Sequence, residues 1–300
     1  MPRLNVEPRV TASSASHKMY ARLASYRGRA HLVCGPDDRL VDIESASNGS
    51  LPSDPMSCFS RWDEVRRLAE TVTASSDAPK ATISALDCPV PRPRQMFAIG
   101  LNYRKHAEEM GSELPLTPLT FAKFQSSLGA PAGDIRIVGD TCDYEAEVVV
   151  VISEGGRNIA ESVGWNHVAG ICAGQDVSDR QLQNSGRPPQ FSLGKSRQGF
   201  SPIGPWVCDV RENPKRDDLT IGCMVNGEVR QHTSTNDMIF DIPQVVSYLS
   251  SICELYPGDI IFTGTPAGVG HGRKPPVYLR PGDIVETTLQ DVGLLRNCCI

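Results

Sequence analysis

Short apolar runs, each closed by glycine or proline, dominate the chain after residue 95. They are "MFAIG", "EAEVVVVIS", "HVAGICAGQDV", "IGCMVNGEV", "GDIIFTGTP" and "GDIVETTLQDVG". Runs of this length between turn residues are typical of β-strands. Two stretches predict clear helices here: "NYRKHAEEMG", ending at Gly111, and "DIPQVVSYLSSICEL", ending at Pro257-Gly258. The sequence therefore predicts a mainly β fold with some helix (α+β), either a barrel or a rolled sheet.

A proline-rich segment, "CPVPRPRQ" at residues 88–95, separates this region from the start of the chain. It can neither continue a helix nor pair as a central strand. We therefore predict a small N-terminal domain with an irregular leader at residues 1–92, and a catalytic domain at residues 93–300. Within the first part, residues 18–45 predict antiparallel strands and "RWDEVRRLAETVTA" predicts a helix.

Charge and hydropathy exclude several classes of protein. The formal net charge is -5, and the 30 Lys and Arg residues form no basic block, which argues against nucleic acid as a partner. No stretch approaches the roughly 20 apolar residues of a membrane-spanning helix, and no secretion signal is evident. We expect a soluble, cytoplasmic protein, with the mitochondrion as the alternative because the first thirty residues are rich in arginine. The ten scattered cysteines predict buried reduced thiols.

Three carboxylates stand two residues apart in "CDYEAEVVVVIS", residues 142–153. Strand side chains alternate between faces, so Asp143, Glu145 and Glu147 are expected on one surface. Partly buried carboxylates this close either take up protons or bind a cation. Oxygen ligands without His or Cys favour Mg²⁺, Mn²⁺ or Ca²⁺. The alternative is an exposed polar strand end.

A further acidic residue follows the next apolar strand. The run "HVAGICAG" stops at Gln175-Asp176, so Asp176 is expected as a third metal ligand at the end of a strand. Arg180 and Gln183 follow four and seven residues later, on the same side of a helical turn, where they could bind a substrate carboxylate. A helix-capping Asp176 with a solvated Arg180 is the alternative.

Three other segments carry candidate catalytic or binding residues. His106 and Glu109 share one face of the helix "NYRKHAEEM", so the carboxylate could orient the imidazole as a general base. Lys195 lies in the glycine-rich "GKSRQGFSPIGPW" and could stabilise an oxyanion or enolate. The backbone of "FTGTPAGVG" and the Thr265 hydroxyl could bind a small carboxylate. The alternatives are a chance surface pair, a solvated lysine and a tight turn.

Taken in order, these segments resemble the fumarylacetoacetate hydrolase family. The similarity runs through "IGLNYRKHAEEMG", "DYEAEVVVVI", "AGQDVSDRQLQ", "GKSRQGFSPIGPW", "VNGEVRQ", "YPGDIIFTGTPAGVG", "PPVYLRPGDIVE" and "DVGLLRN", and covers about residues 95–298. It implies a mixed rolled β-structure in a large C-terminal domain, a smaller N-terminal domain, a Mg²⁺ or Mn²⁺ site and a homodimer.

The resemblance also implies roles for individual residues. The metal ligands of the family fall on Glu145, Glu147 and Asp176. Its substrate-contacting residues fall on Arg180, Gln183 and Thr265, and its catalytic residues fall on Lys195 and the lid pair His106 and Glu109. The chain departs from the usual pattern at Lys123-Phe124, where many relatives have Lys-Pro, and at Phe191, where many have Trp. Both changes are expected to affect the substrate pocket.

The function expected from this resemblance is hydrolysis of a C–C bond in a small 2,4-diketo acid of the acylpyruvate or fumarylacetoacetate type. His106 would activate water, and Lys195 would offset the charge of the enolate that leaves at the metal. One alternative is decarboxylation or enol-keto tautomerisation of oxaloacetate on the same site. The other is a metal-binding scaffold without catalysis.

Overall fold

The computed structural model describes residues 20–300, so the expected leader lies outside the described residues. The strands of the described part are β1 Arg22–Tyr26, β2 Arg29–Cys34, β3 Arg39–Asp42, β4 Met96–Gly100, β5 Leu119–Ala122, β6 Leu128–Gly129, β7 Cys142–Asp143, β8 Ala146–Ile152, β9 Val168–Gln175, β10 Ser178–Asp179, β11 Ser201–Cys208, β12 Thr220–Val225, β13 Glu228–Ser234, β14 Ile260–Phe262, β15 Ile284–Leu289 and β16 Gly293–Cys298. The α-helices are α1 Ile43–Ala46, α2 Pro55–Phe59, α3 Trp62–Thr71, α4 Arg104–Glu109, α5 Arg180–Gln183, α6 Phe191–Gly194 and α7 Ile242–Ile252.

One large sheet organises the described chain. Its strand order is β3-β2-β1-β11-β9-β8-β14-β4-β5, with β6 pairing to β11, and a second sheet has the order β13-β12-β15-β16. The path of the large sheet ends at β3 and β5, so this sheet is open and is not a closed barrel. The expected mainly β fold is confirmed. Strands from both sides of residue 92 share this sheet, and the domain boundary there stays a prediction.

The centre of the large sheet is β8, which is buried on both faces. Val148, Val150 and Ile152 contribute to one apolar cluster, while Val149 and Val151 contribute to the other. This alternation is what a period of two requires of a strand covered on both sides. The apolar run in the sequence is therefore explained by two cores that meet at one strand.

The three helices expected from the sequence are present as α3, α4 and α7, and each is shorter than its sequence pattern. Helix α7 begins with a capping box in which Asp241 and Gln244 satisfy each other's backbone N–H groups. It ends at Ile252, before the expected stop at Pro257-Gly258. The reason is that Leu255 pairs with Gly156 through two backbone hydrogen bonds, which draws the chain into an extended conformation. None of the described helices has the length and apolar character needed to span a membrane.

The pairing of β8 with β9 positions the candidate site. The two strands are antiparallel, and Ala146 and Glu147 face Gln175 and Gly174. The start of β8 therefore lies beside the end of β9. The short strands β7 and β10 pair in the same way, with Ser178 opposite Asp143. Two acidic segments that are about thirty residues apart in the sequence thus meet at one edge of the core.

Candidate metal and active site

Glu145, Glu147 and Asp176 form a buried acidic cluster. Each offers a carboxylate oxygen, and these oxygens lie within 4.8 Å of one another. The three residues are 5%, 2% and 0% exposed. The Asp176 N–H also donates to the carbonyl of Glu145 at 2.9 Å, which fixes the two segments relative to each other. The exposed strand end that was considered from the sequence is therefore wrong.

Two buried lysines lie against this cluster. The Lys195 ammonium donates to Glu145 at 2.5 Å and to Asp176 at 2.7 Å. The Lys123 ammonium donates to the other Asp176 oxygen at 2.5 Å and to the carbonyl of Lys195. Each lysine is only 3% exposed. Lys195 is thus not a solvated surface charge.

Glu147 differs from the other two acids because no described cationic group hydrogen-bonds to it. Its carboxylate accepts from the Gly264 N–H at 2.8 Å. Burial, with Asp176 and Glu145 nearby, raises the pKa of Glu147 well above its ordinary value. Burial would also raise the pKa of Glu145, but Lys195 and Arg180 beside it lower that pKa below its ordinary value. Glu147 is therefore the acid of the cluster whose ionised form needs a further cation.

Asp143 does not join the cluster, so the expectation of three acids on one surface is wrong. Its carboxylate accepts from Arg180 Nε at 2.9 Å and from Arg180 Nη2 at 2.7 Å. The reason is that β7 ends at Asp143 and β8 begins only at Ala146. Alternation of side chains holds within a continuous strand, and the two residues between these strands interrupt it.

Arg180 and Gln183 lie together on α5, as their spacing predicts. Nη2 of Arg180 also donates to Glu145 at 2.6 Å, and Nη1 donates to the Gln183 side-chain oxygen at 3.2 Å. Four of the five guanidinium N–H groups are therefore used inside the protein. One N–H and the Gln183 amide group are left for a ligand. Asp179, and not Asp176, caps this helix by accepting from Leu182 N at 3.1 Å.

His106 and Glu109 form the expected pair on α4. His106 Nδ1 lies 3.0 Å from Glu109 Oε2, and His106 is 7% exposed. Glu109 is held in turn by the Gly268 N–H at 3.0 Å. A carboxylate only accepts hydrogen bonds, so the proton lies on Nδ1 and Nε2 is left for proton transfer. His106 is therefore buried and Glu109 half-buried, so the pair is not a chance surface contact.

The Thr265 hydroxyl is engaged within the protein. It donates to the carbonyl of Ala146 at 3.0 Å and accepts from the Gln231 amide at 2.8 Å. Gln231 also accepts from the Ala146 N–H at 2.9 Å. This arrangement fixes the start of β8 next to the turn that carries Gly264. Contact of Thr265 with substrate stays a prediction.

Some residues of the site carried little signal in the sequence. Lys123 is a buried partner of Asp176, a contact that the sequence analysis does not predict. The lysine inside the apolar "LTFAKF" is the one signal for it in the sequence. Gln175 and Gln231 anchor the backbone of residues 145 and 146. Phe191 packs edge-on against Phe121, whose ring lies 5.3 Å from the Lys195 ammonium.

Comparison with known proteins places this site in context. The model of the fumarylacetoacetate (FAA) hydrolase C-terminal family matches residues 95–300. The mitochondrial oxaloacetate tautomerase FAHD2A of Bos taurus is 38% identical over 221 residues, which cover 73% of this chain and 70% of that protein. The solved structure of fumarylacetoacetate hydrolase from Exiguobacterium antarcticum is 31% identical, with a TM-score of 0.78 over 94% of this chain and 99% of that one.

A second solved structure bears on the metal. Maleylpyruvate hydrolase from Sphingobium sp. SYK-6, in complex with a manganese(II) ion and pyruvate, is similar to this chain with a TM-score of 0.75 and 26% identity. The match covers 93% of this chain and 98% of that one. Proteins of this architecture therefore include one that binds a divalent cation and a 2-oxo acid together.

Proposed function

The chain belongs to the fumarylacetoacetate hydrolase family, and on that premise we propose that it is a Mg²⁺- or Mn²⁺-dependent enzyme that interconverts the enol and keto forms of oxaloacetate or of a closely related small 2-oxo acid. An enzyme that acts on 2-oxo acids is the coarser statement that the family supports. The similarity to the oxaloacetate tautomerase of Bos taurus favours tautomerisation as the reaction.

One observation carries this proposal: a buried acidic cluster is hydrogen-bonded to a buried lysine, and His106 of the His-Glu pair interacts electrostatically with Glu145 of this cluster. The donor set fits a hard divalent cation, because it consists of oxygen atoms only. Four buried carboxylates, counting Asp143, face three cations from Lys123, Lys195 and Arg180. With all four carboxylates ionised the local charge is -1, and a divalent cation would change it to +1, which suits an anionic substrate.

Glu145, Glu147 and Asp176 would hold the cation. When bound, it would supply a Lewis acid and an orienting charge for the 2-oxo-carboxylate group. Side chains of the protein bind and orient the substrate. The Arg180 N–H and the Gln183 amide that remain are placed for the substrate carboxylate.

His106 is the group that moves the proton. In tautomerisation a proton leaves the enol oxygen and one is added to the neighbouring carbon, so no atom is gained or lost. Nε2 can carry out this transfer while Glu109 holds the ring through Nδ1. Lys195, charged and buried, stabilises negative charge on the substrate oxygen during the transfer.

Hydrolysis of a C–C bond in a 2,4-diketo acid is the second candidate. The same His106 and Glu109 could deprotonate a water molecule, and a hydrolase is among the similar structures. Decarboxylation of oxaloacetate uses the same site and is a third outcome. We do not propose a metal-binding scaffold without catalysis, because the chain belongs to a family of enzymes.

A substrate comparison tests the proposal. Purified protein with and without Mn²⁺ is given freshly dissolved enol oxaloacetate, an acylpyruvate and fumarylacetoacetate, and the products are followed by absorbance and mass spectrometry. We expect metal-dependent conversion of enol to keto oxaloacetate without loss of mass. Cleavage of an acylpyruvate with no effect on oxaloacetate would favour the hydrolase, and loss of CO₂ would favour the decarboxylase.

We also propose an oligomeric state and a location for the chain. A homodimer is supported by exposed apolar side chains on and near β5 and α6, among them Leu116 at 96% exposure and Leu193 at 58%. Strand β5 is also an edge of the large sheet. Light scattering of the purified protein checks this state. For the compartment, the cytoplasm stays the prediction and the mitochondrion the alternative.

A further inference from the structure

We propose that Asp143 is a positioning residue for substrate binding: it fixes the Arg180 guanidinium beside the metal ligands and ties it to the loop at residues 268–271, which also holds Glu109 of the catalytic pair. The inference deepens the proposed function and rests on it for the nature of the ligand, the carboxylate of a 2-oxo acid. It assigns a role to a residue that the sequence pattern groups with the metal ligands.

The carboxylate of Asp143 accepts five hydrogen bonds within the protein. It is fully buried, and its oxygens accept from the N–H groups of Tyr144 at 2.9 Å, Gly270 at 2.8 Å and His271 at 3.0 Å. Its two further bonds come from Arg180. Five donors on two oxygens leave little capacity for a metal ion, since a carboxylate has about four lone-pair sites. Asp143 therefore acts through Arg180 and the loop.

The effect on Arg180 is directional. Asp143 accepts from Nε and Nη2, while Glu145 and Gln183 accept from Nη2 and Nη1. These four bonds fix the plane of the guanidinium and leave a single N–H, on Nη1, next to the Gln183 amide. Without Asp143, Arg180 would retain its charge but not this orientation. A substrate carboxylate would then meet a guanidinium whose free N–H points elsewhere.

The loop joins this anchor to the catalytic pair. Gly268 N–H binds Glu109, and two residues later Gly270 N–H binds Asp143. The approach is close at both ends. A Cβ atom on Gly270 would lie 2.6 Å from Asp143 Oδ1, and one on Gly272 would lie 2.8 Å from the carboxyl carbon of Glu109. The same short loop therefore holds Asp143, the partner of Arg180, and Glu109, the partner of His106.

The test uses Asp143→Asn, which keeps the shape of the side chain but removes its charge. Its amide has a single accepting oxygen, so it cannot accept both from Arg180, whose two bonds share Oδ2, and from the backbone N–H groups of Tyr144 and Gly270, which bind Oδ1. The link between the guanidinium and the loop at residues 268–271 is therefore broken on one side. We expect the Kd of Mn²⁺-loaded protein for pyruvate to rise about 10- to 100-fold, measured by calorimetry. The Kd for Mn²⁺ alone should change less than about threefold. For the enzymatic reaction, KM should rise with little change in kcat.

Arg180→Lys provides a second variant, because a lysine cannot bridge Asp143, Glu145 and Gln183 at once. It should also weaken pyruvate binding, and it carries the test if Asp143→Asn does not fold. The double variant should lose no more affinity than the weaker-binding single variant, because both changes remove the same contact. Asp209→Asn is the matched control: Asp209 is a buried carboxylate bound to Arg66 and Arg211. It should leave pyruvate binding unchanged.

Two results would overturn the inference. Weaker Mn²⁺ binding by tenfold or more in Asp143→Asn would make Asp143 part of the metal site. Unchanged pyruvate binding in either folded single variant would remove the positioning role. Pyruvate binding needs no turnover, so the inference and the proposed function fail separately. A wild-type protein inactive on oxaloacetate, with the binding loss intact in Asp143→Asn, would contradict only the proposed function.

Discussion

The two ends of the β8–β9 pair are equally buried, but one end consists of apolar side chains and the other of charged side chains. At one end, Val150, Ile152 and Val168 pack against apolar neighbours and are at most 1% exposed. At the other end, Glu147 and Asp176 are as deeply buried, at 2% and 0%. The first end stabilises the fold through the removal of apolar surface from water. The second contains charges whose desolvation opposes folding.

The comparison shows how the charged end is tolerated. Asp176 has two lysine partners, and Glu145 has Lys195 and Arg180, so most of the buried charge is paired by side chains at 2.5–2.7 Å. Glu147 is the exception. We therefore expect changes at the apolar end to alter stability alone, and a change at Glu147 to alter metal binding and activity with little loss of stability.

Glu147→Gln should have the largest effect. The amide removes one charge from the metal site, and we expect Mn²⁺ affinity to collapse and kcat/KM to fall on the order of 10³-fold, since a divalent cation contributes several kcal/mol to the transition state. Metal-free protein should unfold at the same temperature as wild type or higher. Calorimetry with Mn²⁺ and thermal unfolding check both parts. The control is Glu154→Gln, just beyond the other end of β8, which should change neither Mn²⁺ affinity nor the unfolding temperature. A large loss of stability in Glu147→Gln would contradict the difference between the two ends.

His106→Asn should follow in size. Asparagine can still donate a hydrogen bond to Glu109 but has no group that transfers a proton at the position of Nε2. We expect kcat to fall at least about 10²-fold with Mn²⁺ affinity unchanged. Steady-state kinetics and a Mn²⁺ titration measure this, with His167→Asn as the control because that ring is half-buried and hydrogen-bonded to the Glu154 carbonyl. Full activity of His106→Asn would leave proton transfer to another group.

Ile171→Ala tests the apolar end. Ile171 lies on β9 opposite Val150 and is fully buried, so truncation should reduce the free energy of unfolding by about 2–5 kcal/mol. Activity per folded molecule should stay near the wild-type value. Denaturant unfolding gives the free energy of unfolding, and kinetics at temperatures below the unfolding transition give the activity per folded molecule. Ile171→Val, which removes one methyl group, should cost about 0.5–1.5 kcal/mol; a loss of activity in either folded variant would mean that the two ends are coupled.

The smallest effect concerns pH. The folded protein holds the pKa of Glu147 above its ordinary value of 4.5 because the residue is buried near Asp176 and Glu145. The associated stability is present below about pH 4.5 and is lost as pH rises through the raised pKa. Mn²⁺ needs the ionised carboxylate, so the increase in Tm on adding Mn²⁺ should grow as pH rises through the raised pKa of Glu147. In Glu147→Gln, the increase in Tm on adding Mn²⁺ should depend less on pH. The same pH dependence in both proteins would mean that a group other than Glu147 releases the proton when Mn²⁺ binds.

Much of this site could be predicted because the residues that form it stand at strand ends. The apolar runs predicted β8 and β9, and the acidic residues at the start of β8 and after the end of β9 are Glu145, Glu147 and Asp176. Asp143 was misassigned because alternation presumes an unbroken strand. Lys123 was missed because its partner is 53 residues away, and only the tertiary pairing brings its ammonium to Asp176. Sequence patterns predict local direction, whereas charge compensation depends on contacts between distant segments.

A crystal soaked in Mn²⁺ tests the central claim most directly. The account predicts an anomalous difference peak bounded by the carboxylates of Glu145, Glu147 and Asp176, with Asp143 still on Arg180. A map with no peak among these three side chains, or with the ion on Asp143, would contradict it.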